Sequence, residues 1–262
     1  MASFKYFIFV LLLAGIAIET EGGRIVGGQP APIEKYPSMV QVNALSILNT
    51  WVESCGANIL TTRYILSAAH CFSGFLYAPS RRRIRAGTAV QHVGGVVVYI
   101  DREFVHPTWG RLGHDGDIAV VRLRGSLVYS PVIQQATIVS QGFKIPDNVA
   151  VVNAGWGAIR HYDVSSEILL DTTVYTVNNE ECAEIYRNGP RPTQDIVTDN
   201  MICVNVPGGG NGTCQGDSGG PLYYGQIVVG IVSWAERCAN ETFPGVNTAV
   251  SSYTDWIVQT AV

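Results

Sequence analysis

From Ile25 onward the chain is built of short valine- and isoleucine-rich runs, each closed by glycine, proline, asparagine or aspartate. Tyr64–Ser67, Gly95–Ile100, Ile118–Leu123, Val149–Asn153 and Gln226–Trp234 are the clearest, all of strand length. Many short strands separated by turn residues specify a sandwich or a barrel rather than alternating β-α units. Helical signals are confined to two places. Asn178-Asn179-Glu180-Glu181 caps a short helix reaching about Arg187, and Ser251/Ser252 caps an amphipathic helix carrying Tyr253, Trp256, Ile257 and Ala261 at the C-terminus. An all-β fold with a closing helix follows. No internal repeat interrupts it, and residues 125–141 form the one seam between two halves.

The first residues stand apart from that pattern. Lys5 precedes an apolar run from Tyr6 to Ala14, too short for a membrane span, and Gly15-Ile16-Ala17 offers small residues for cleavage after Ala17. Residues 1–17 read as a signal peptide, which makes the mature protein secreted and extracellular. In an oxidising compartment the six cysteines, at 55, 71, 182, 203, 214 and 238, read as disulfides. Six cysteines allow 15 pairings, and spacing does not choose among them. A zinc site is disfavoured by the lack of a C-x₂-C pair. Asn211-Gly212-Thr213 and Asn240-Glu241-Thr242 are acceptor tripeptides for glycosylation.

At 47% hydrophobic the 262 residues can bury a substantial core. A formal charge of −4 and the absence of long basic runs exclude a basic nucleic-acid binder. The one basic cluster, Arg81-Arg82-Arg83, reads as a solvated loop before a strand. Residues 1–24 remove Lys5, Arg24, Glu19 and Glu21, so the charge of the remainder is still −4.

Three motifs carry chemistry. Gly216-Asp217-Ser218-Gly219-Gly220-Pro221-Leu222 places a serine on a glycine-flanked loop that a substrate backbone can approach closely and in which N–H groups can converge. The following Pro221–Tyr224 continues as a strand, which argues against an α/β-hydrolase elbow. Serine needs a base, and Ala68-Ala69-His70-Cys71 supplies one directly after the strand Tyr64–Ser67. His92, His106, His114 and His161 read as structural or surface residues. The base needs a carboxylate to fix its tautomer, and Asp117, entering an apolar strand, is preferred over the turn residue Asp115.

In the order His70, Asp117, Ser218 these motifs make the chain, from Arg24 to the C-terminal helix, resemble the chymotrypsin/trypsin family of secreted serine proteases, with the look of insect digestive trypsins. The resemblance implies two perpendicular six-stranded antiparallel β-barrels with the catalytic residues at their junction. It implies the pairs Cys55–Cys71, Cys182–Cys203 and Cys214–Cys238, and an oxyanion hole made by the N–H groups of Gly216 and Ser218. Arg24-Ile25-Val26-Gly27-Gly28 resembles the family's activation junction: residues 18–24 would be an activation peptide, residues 25–262 the protease domain, and the freed amine of Ile25 the partner of buried Asp217.

The sequence departs from trypsins at the primary pocket. The resemblance assigns this pocket to Gly212, Thr213, Ser233, Trp234, Ala235 and Gly245, and Gly212 stands where trypsins carry aspartate. A lysine or arginine entering it would lose water with no carboxylate to meet, a penalty of several kcal/mol. Neutral side chains (Leu, Met or Phe, then small ones) are therefore expected before the cut, with Glu236 and Arg237 close to the entrance. Such an enzyme would not cut efficiently after its own Arg24, so a separate trypsin-like protease becomes a partner, beside protein substrates and protein inhibitors. Calcium, other metals and organic cofactors are not implied, since Ala89–Val98 lacks acidic side chains. A monomer with no membrane or nucleic-acid partner and a digestive role completes the expectation. The competing readings are residual trypsin-like specificity for Lys or Arg and a non-catalytic homologue acting as a binding protein.

Overall fold

The computed structural model describes residues 27–75, 77–158, 164–189, 195–210 and 212–262. Residues 1–17, expected to be a signal peptide, and Arg24, Ile25, His161 and Asn211 lie outside the described residues.

Fourteen strands and two α-helices are present among the described residues. After β1 (Gln29–Pro30) come β2 (Met39–Leu45), β3 (Trp51–Ile59), β4 (Tyr64–Ser67), β5 (Arg82–Ala86), β6 (Val96–Val105) and β7 (Ala119–Leu123). They close into one barrel in the order β2-β3-β4-β7-β6-β5. The second half holds β8 (Thr137–Ile138), β9 (Ala150–Gly155), β10 (Leu170–Val177), α1 (Asn179–Asn188), β11 (Met201–Asn205), β12 (Pro221–Tyr224), β13 (Ile227–Trp234), β14 (Gly245–Ala249) and α2 (Thr254–Thr260). Here β10-β11-β14-β13-β12-β9 run round a second antiparallel barrel, closed by β9 pairing back to β10. β1 adds to β10, and β8 pairs parallel with β13, so the chain has already joined the second half by residue 137.

Period-2 burial is clearest in the second barrel, whereas β2, β4 and β7 of the first are buried almost throughout. Along β10, Leu170, Thr172, Val174 and Thr176 turn inward while Thr173 and Tyr175 face out. Met39, Val42, Ile65, Leu66, Ile84, Ile100 and Val120 are fully enclosed in the first barrel. Closed barrels leave no unpaired long edge, which suits a chain whose strands are too short to make a wide sheet. Helix α1 starts where its capping signal predicts: the Asn178 side chain accepts from the N–H groups of Glu180 and Glu181 at 3.0 and 3.2 Å. It is tied to β11 by the disulfide Cys182–Cys203, and the Tyr186 hydroxyl donates to the Pro244 carbonyl at 2.6 Å.

Two expectations are corrected. Ser251 and Ser252 lie in a 3₁₀ turn and do not cap α2; Tyr253 occupies the cap position without a side-chain bond. The Thr254 hydroxyl instead donates to Val139 and Val250, which fixes the turn by tertiary contact. The second correction concerns Arg81-Arg82-Arg83, which is no solvated loop: Arg82 and Arg83 begin β5, half-buried. Arg83 lies 4.1 Å over the Trp51 ring, Arg82 lies 5.4 Å over Tyr77, and Arg81 donates to the carbonyls of Leu45 and Ser46. Long stems covering aromatic faces let arginines serve as outward strand residues.

Helix α2 holds the halves together. It ends the second barrel, yet Tyr64 of β4 donates to the Val262 carbonyl at 2.5 Å, and His106 packs edge-on against Tyr253 and Trp256. Among the described residues no helix is long and apolar enough to cross a membrane.

Candidate active site

His70 sits in a 3₁₀ turn (Ala69–Phe72) that follows β4, and the disulfide Cys55–Cys71 pins that turn to β3. Asp117 lies two residues before β7, the strand paired with β4, so the sheet itself delivers both groups to one end of the first barrel. Asp117 Oδ2 is 2.8 Å from His70 Nδ1, and Oδ1 accepts from the His70 backbone N–H at 2.9 Å. With both oxygens engaged by one residue, the imidazole can neither tilt nor slide. Asp117 is completely buried while the His70 side chain keeps a third of its surface exposed, as a base working on an incoming molecule requires.

Asp115 is excluded from this role. Its Oδ1 accepts from Thr198 and Asn200 at 2.6 and 3.0 Å, a tie between the halves that leaves His70 untouched. The other described histidines are structural or on the surface: His106 bonds Thr108 and packs on α2, His114 stacks on Trp234 at 5.1 Å, and His92 is exposed.

The second barrel supplies the rest. Ser218 lies in the loop between β11 and β12, and its carbonyl accepts from Gly56 N–H of β3 at 2.8 Å, which anchors the loop across the junction. Gly219, at φ +79°, passes so close to the first barrel that a Cβ would meet Ser67 Oγ, Gly56 O and Ala68 N. Only glycine fits there. The Ser218 carbonyl also lies 3.8 Å from Cys71 Sγ, beside the His70 turn. Among the described residues no hydrogen bond joins Ser218 Oγ to His70 Nε2; such contacts commonly tighten only with substrate present.

Around Ser218 the backbone donors divide into two sets. The N–H groups of Cys214, Asp217, Gly219 and Gly220 are spent on internal acceptors. Those of Gly216 and Ser218 donate to nothing among the described residues. Two free N–H groups flanking a nucleophile are what a developing oxyanion needs.

Asp217 is buried, with Oδ1 accepting from Gly157 N–H at 2.8 Å and Oδ2 from Cys214 N–H at 2.9 Å. Burial pushes its carboxyl up to about 6, against the pull of those two donors. Glu53 of β3 adds to the strain: both its oxygens are buried without a partner, and burial, with the Asp217 charge behind it, pushes it well above the usual carboxylate range.

Sequence reasoning assigned Ser233 to the pocket wall. It lines the cavity, but its hydroxyl also donates to Asp117 Oδ2 at 2.5 Å, and Thr248 donates to the Asp117 carbonyl at 2.9 Å. No local signal could reveal these partners, which lie 116 and 131 residues from Asp117.

A cavity of about 200 Å³ opens beside Ser218 between Thr213, Ser233, Trp234 and Ala235. Gly212 and Gly245 line a separate recess of about 20 Å³ behind it. Gly212 has φ +152°, a backbone that other residues adopt with strain, so an aspartate is poorly accommodated at this position. The disulfide Cys214–Cys238 frames the cavity. A second cavity, of about 190 Å³ between Phe143, Lys144, Asp199 and Met201, includes none of His70, Asp117, Asp217 and Ser218. Cys55, His70 and Cys71 bring ligand atoms within 4.8 Å of one another, but both sulfurs are spent in a disulfide and offer no thiolate to a metal.

Comparison with known proteins gives one consistent result. The family profile described as Trypsin matches residues 25–257. Trypsin, alkaline C of Manduca sexta is 40% identical over 257 residues, covering 97% of this chain and 98% of its own. Trypsin CFT-1 of Choristoneura fumiferana is 38% identical over 252 residues, covering 95% and 96%. Vitellin-degrading protease of Bombyx mori is 32% identical over 234 residues, covering 89% and 84%.

Proposed function

From the premise that the chain belongs to the trypsin family and is a serine endopeptidase, we propose that it is secreted as a zymogen and, once cut after Arg24, hydrolyses proteins next to neutral side chains. Ser218 attacks the scissile carbonyl and His70 takes its proton, while Asp117 holds His70 Nδ1–H and stabilises the imidazolium. The tetrahedral oxyanion is met by the N–H groups of Gly216 and Ser218. His70 then returns the proton to the leaving amine, and water repeats the sequence on the acyl-enzyme. The observation that carries this reading is Asp117: completely buried, it has one oxygen on the His70 ring and the other on the His70 backbone.

Activation rests on Asp217. A carboxylate buried without a cation is costly, and cleavage after Arg24 supplies one in the amine of Ile25. The consequence is a pH signature. A carboxyl whose folded pKa is raised contributes full stability below its unfolded pKa and loses it as pH rises through the folded value. From an ordinary 3.8 to about 6, the unprocessed chain should lose on the order of 3 kcal/mol over that interval, with Glu53 acting in the same direction. The cleaved chain, its Asp217 paired, should lose little. Thermal melts of both forms between pH 4 and 7 check this; parallel slopes would exclude the amine from the Asp217 site.

Specificity rests on Gly212 and the apolar walls. Leu, Met or Phe before the cut should be preferred, with small residues next and soft discrimination among them, since one methylene is worth about 1–3 kcal/mol. Trypsin should be needed for activation. A peptide panel varying only that residue, applied before and after trypsin treatment, tests both statements; efficient cleavage after Lys or Arg, or rapid self-activation of pure zymogen, would overturn them. Digestion of dietary protein is the role in keeping with soft specificity.

A further inference from the structure

Of the side chains lining the cavity beside Ser218, one carries a formal charge: Arg237. Thr213, Ala235 and Arg237 line both this cavity and the recess that holds Gly212 and Gly245, so Arg237 stands where the two spaces meet. No aspartate or glutamate lines either space. Arg237 is exposed and, among the described residues, neither its neighbour Glu236 nor any other carboxylate forms an ion pair with it. Beside neutral residues such as Thr213, Gln215, Ser233 and Trp234, the pocket therefore carries one guanidinium with no ion-pair partner among the described residues.

The geometry points to Arg237 as a specificity-determining residue that admits glutamate, and further disfavours lysine and arginine, as the residue preceding the cut. The inference rests on the peptidase reading above and adds glutamate to the neutral side chains named there. A guanidinium presents a planar fork of donors that matches a carboxylate bidentately. A glutamate side chain entering a cavity of about 200 Å³ would displace water around that fork and exchange it for two charge-assisted bonds. A lysine would meet like charge with no acid at the floor. Two effects oppose each other for glutamate: its carboxylate loses hydration, and the guanidinium, being exposed, is screened by solvent. The net preference should be modest, roughly tenfold in kcat/KM for Glu over its neutral isostere Gln, a factor equivalent to about 1.4 kcal/mol.

The test compares peptides ending in Glu, Gln, Leu, Met or Lys before the cut, using processed wild-type protein, Arg237→Ala and Arg237→Gln. Wild type should favour Glu over Gln by about tenfold at low salt, and the ratio should shrink as salt screens the pair. Both variants should bring the ratio to one or below, and labelling of their Ser218 by a sulfonyl fluoride after processing shows that they fold. A Glu-to-Gln ratio indifferent to Arg237, with Leu and Met still cut, sinks this inference and leaves the peptidase reading intact. No turnover of any peptide, with Ser218 unreactive to a sulfonyl fluoride after processing, removes both.

Discussion

Replacing Ser218 with alanine lowers kcat/KM of the processed protein by roughly a million-fold while leaving its melting temperature unchanged. The two halves of that expectation have separate causes. Ser218 is held by its main chain: its carbonyl accepts from Gly56 N–H at 2.8 Å, and Gly219 N–H donates to Val232. Its hydroxyl bonds nothing among the described residues, so removing one oxygen costs the fold almost nothing. Chemistry loses its nucleophile entirely. The free N–H groups of Gly216 and of residue 218 survive the substitution and should sustain some acceleration over uncatalysed hydrolysis. Steady-state kinetics on a peptide substrate, with a thermal melt as control, decide the matter. A loss below a hundredfold would mean that another group attacks.

Asp117→Asn should lower kcat by about 10⁴-fold with little change in KM. The amide matches the carboxylate in size, so the buried site stays filled, and its oxygen can still accept from the His70 backbone as Oδ1 does at 2.9 Å. The other end changes sense: an NH₂ group now faces His70 Nδ1, where an acceptor stood at 2.8 Å. His70 must then carry its proton on Nε2, the nitrogen that should receive the serine proton. Ser233, which donates to Oδ2 at 2.5 Å, can rotate its hydroxyl to accept instead, so the substitution should not unfold the junction. Loss of binding in step with kcat would point to a merely structural Asp117.

The strands were legible where valine and isoleucine crowd into a short run buried almost from end to end. Tyr64–Ser67 matches β4, and Ile118–Leu123 and Gln226–Trp234 match β7 and β13 to within a residue. Closure was not legible locally, because it depends on pairings such as β9 with β10 and β2 with β5 that a sandwich lacks. Only the whole set of motifs, through the family they resemble, implied barrels. Arg81–Arg83 misled because charge suggested solvent, while the tertiary structure gave the guanidinium groups Trp51 and Tyr77 to cover. At the site, His70 and Asp117 announced themselves by their neighbours: a cysteine and an apolar strand. Ser233 carried no such mark, since its bond to Asp117 exists only after β7 and β13 meet across the junction.

The groups proposed as base and carboxylate come from the first barrel, whereas those proposed as alcohol and oxyanion donors come from the second. Even the imidazole's carboxylate is held in part from the far side, since Ser233 and Thr248 of the second barrel donate to Asp117. Neither half can digest its neighbours by itself. With the groups acting as proposed, hydrolysis requires both barrels docked, and a chain ending after β7 should be inert.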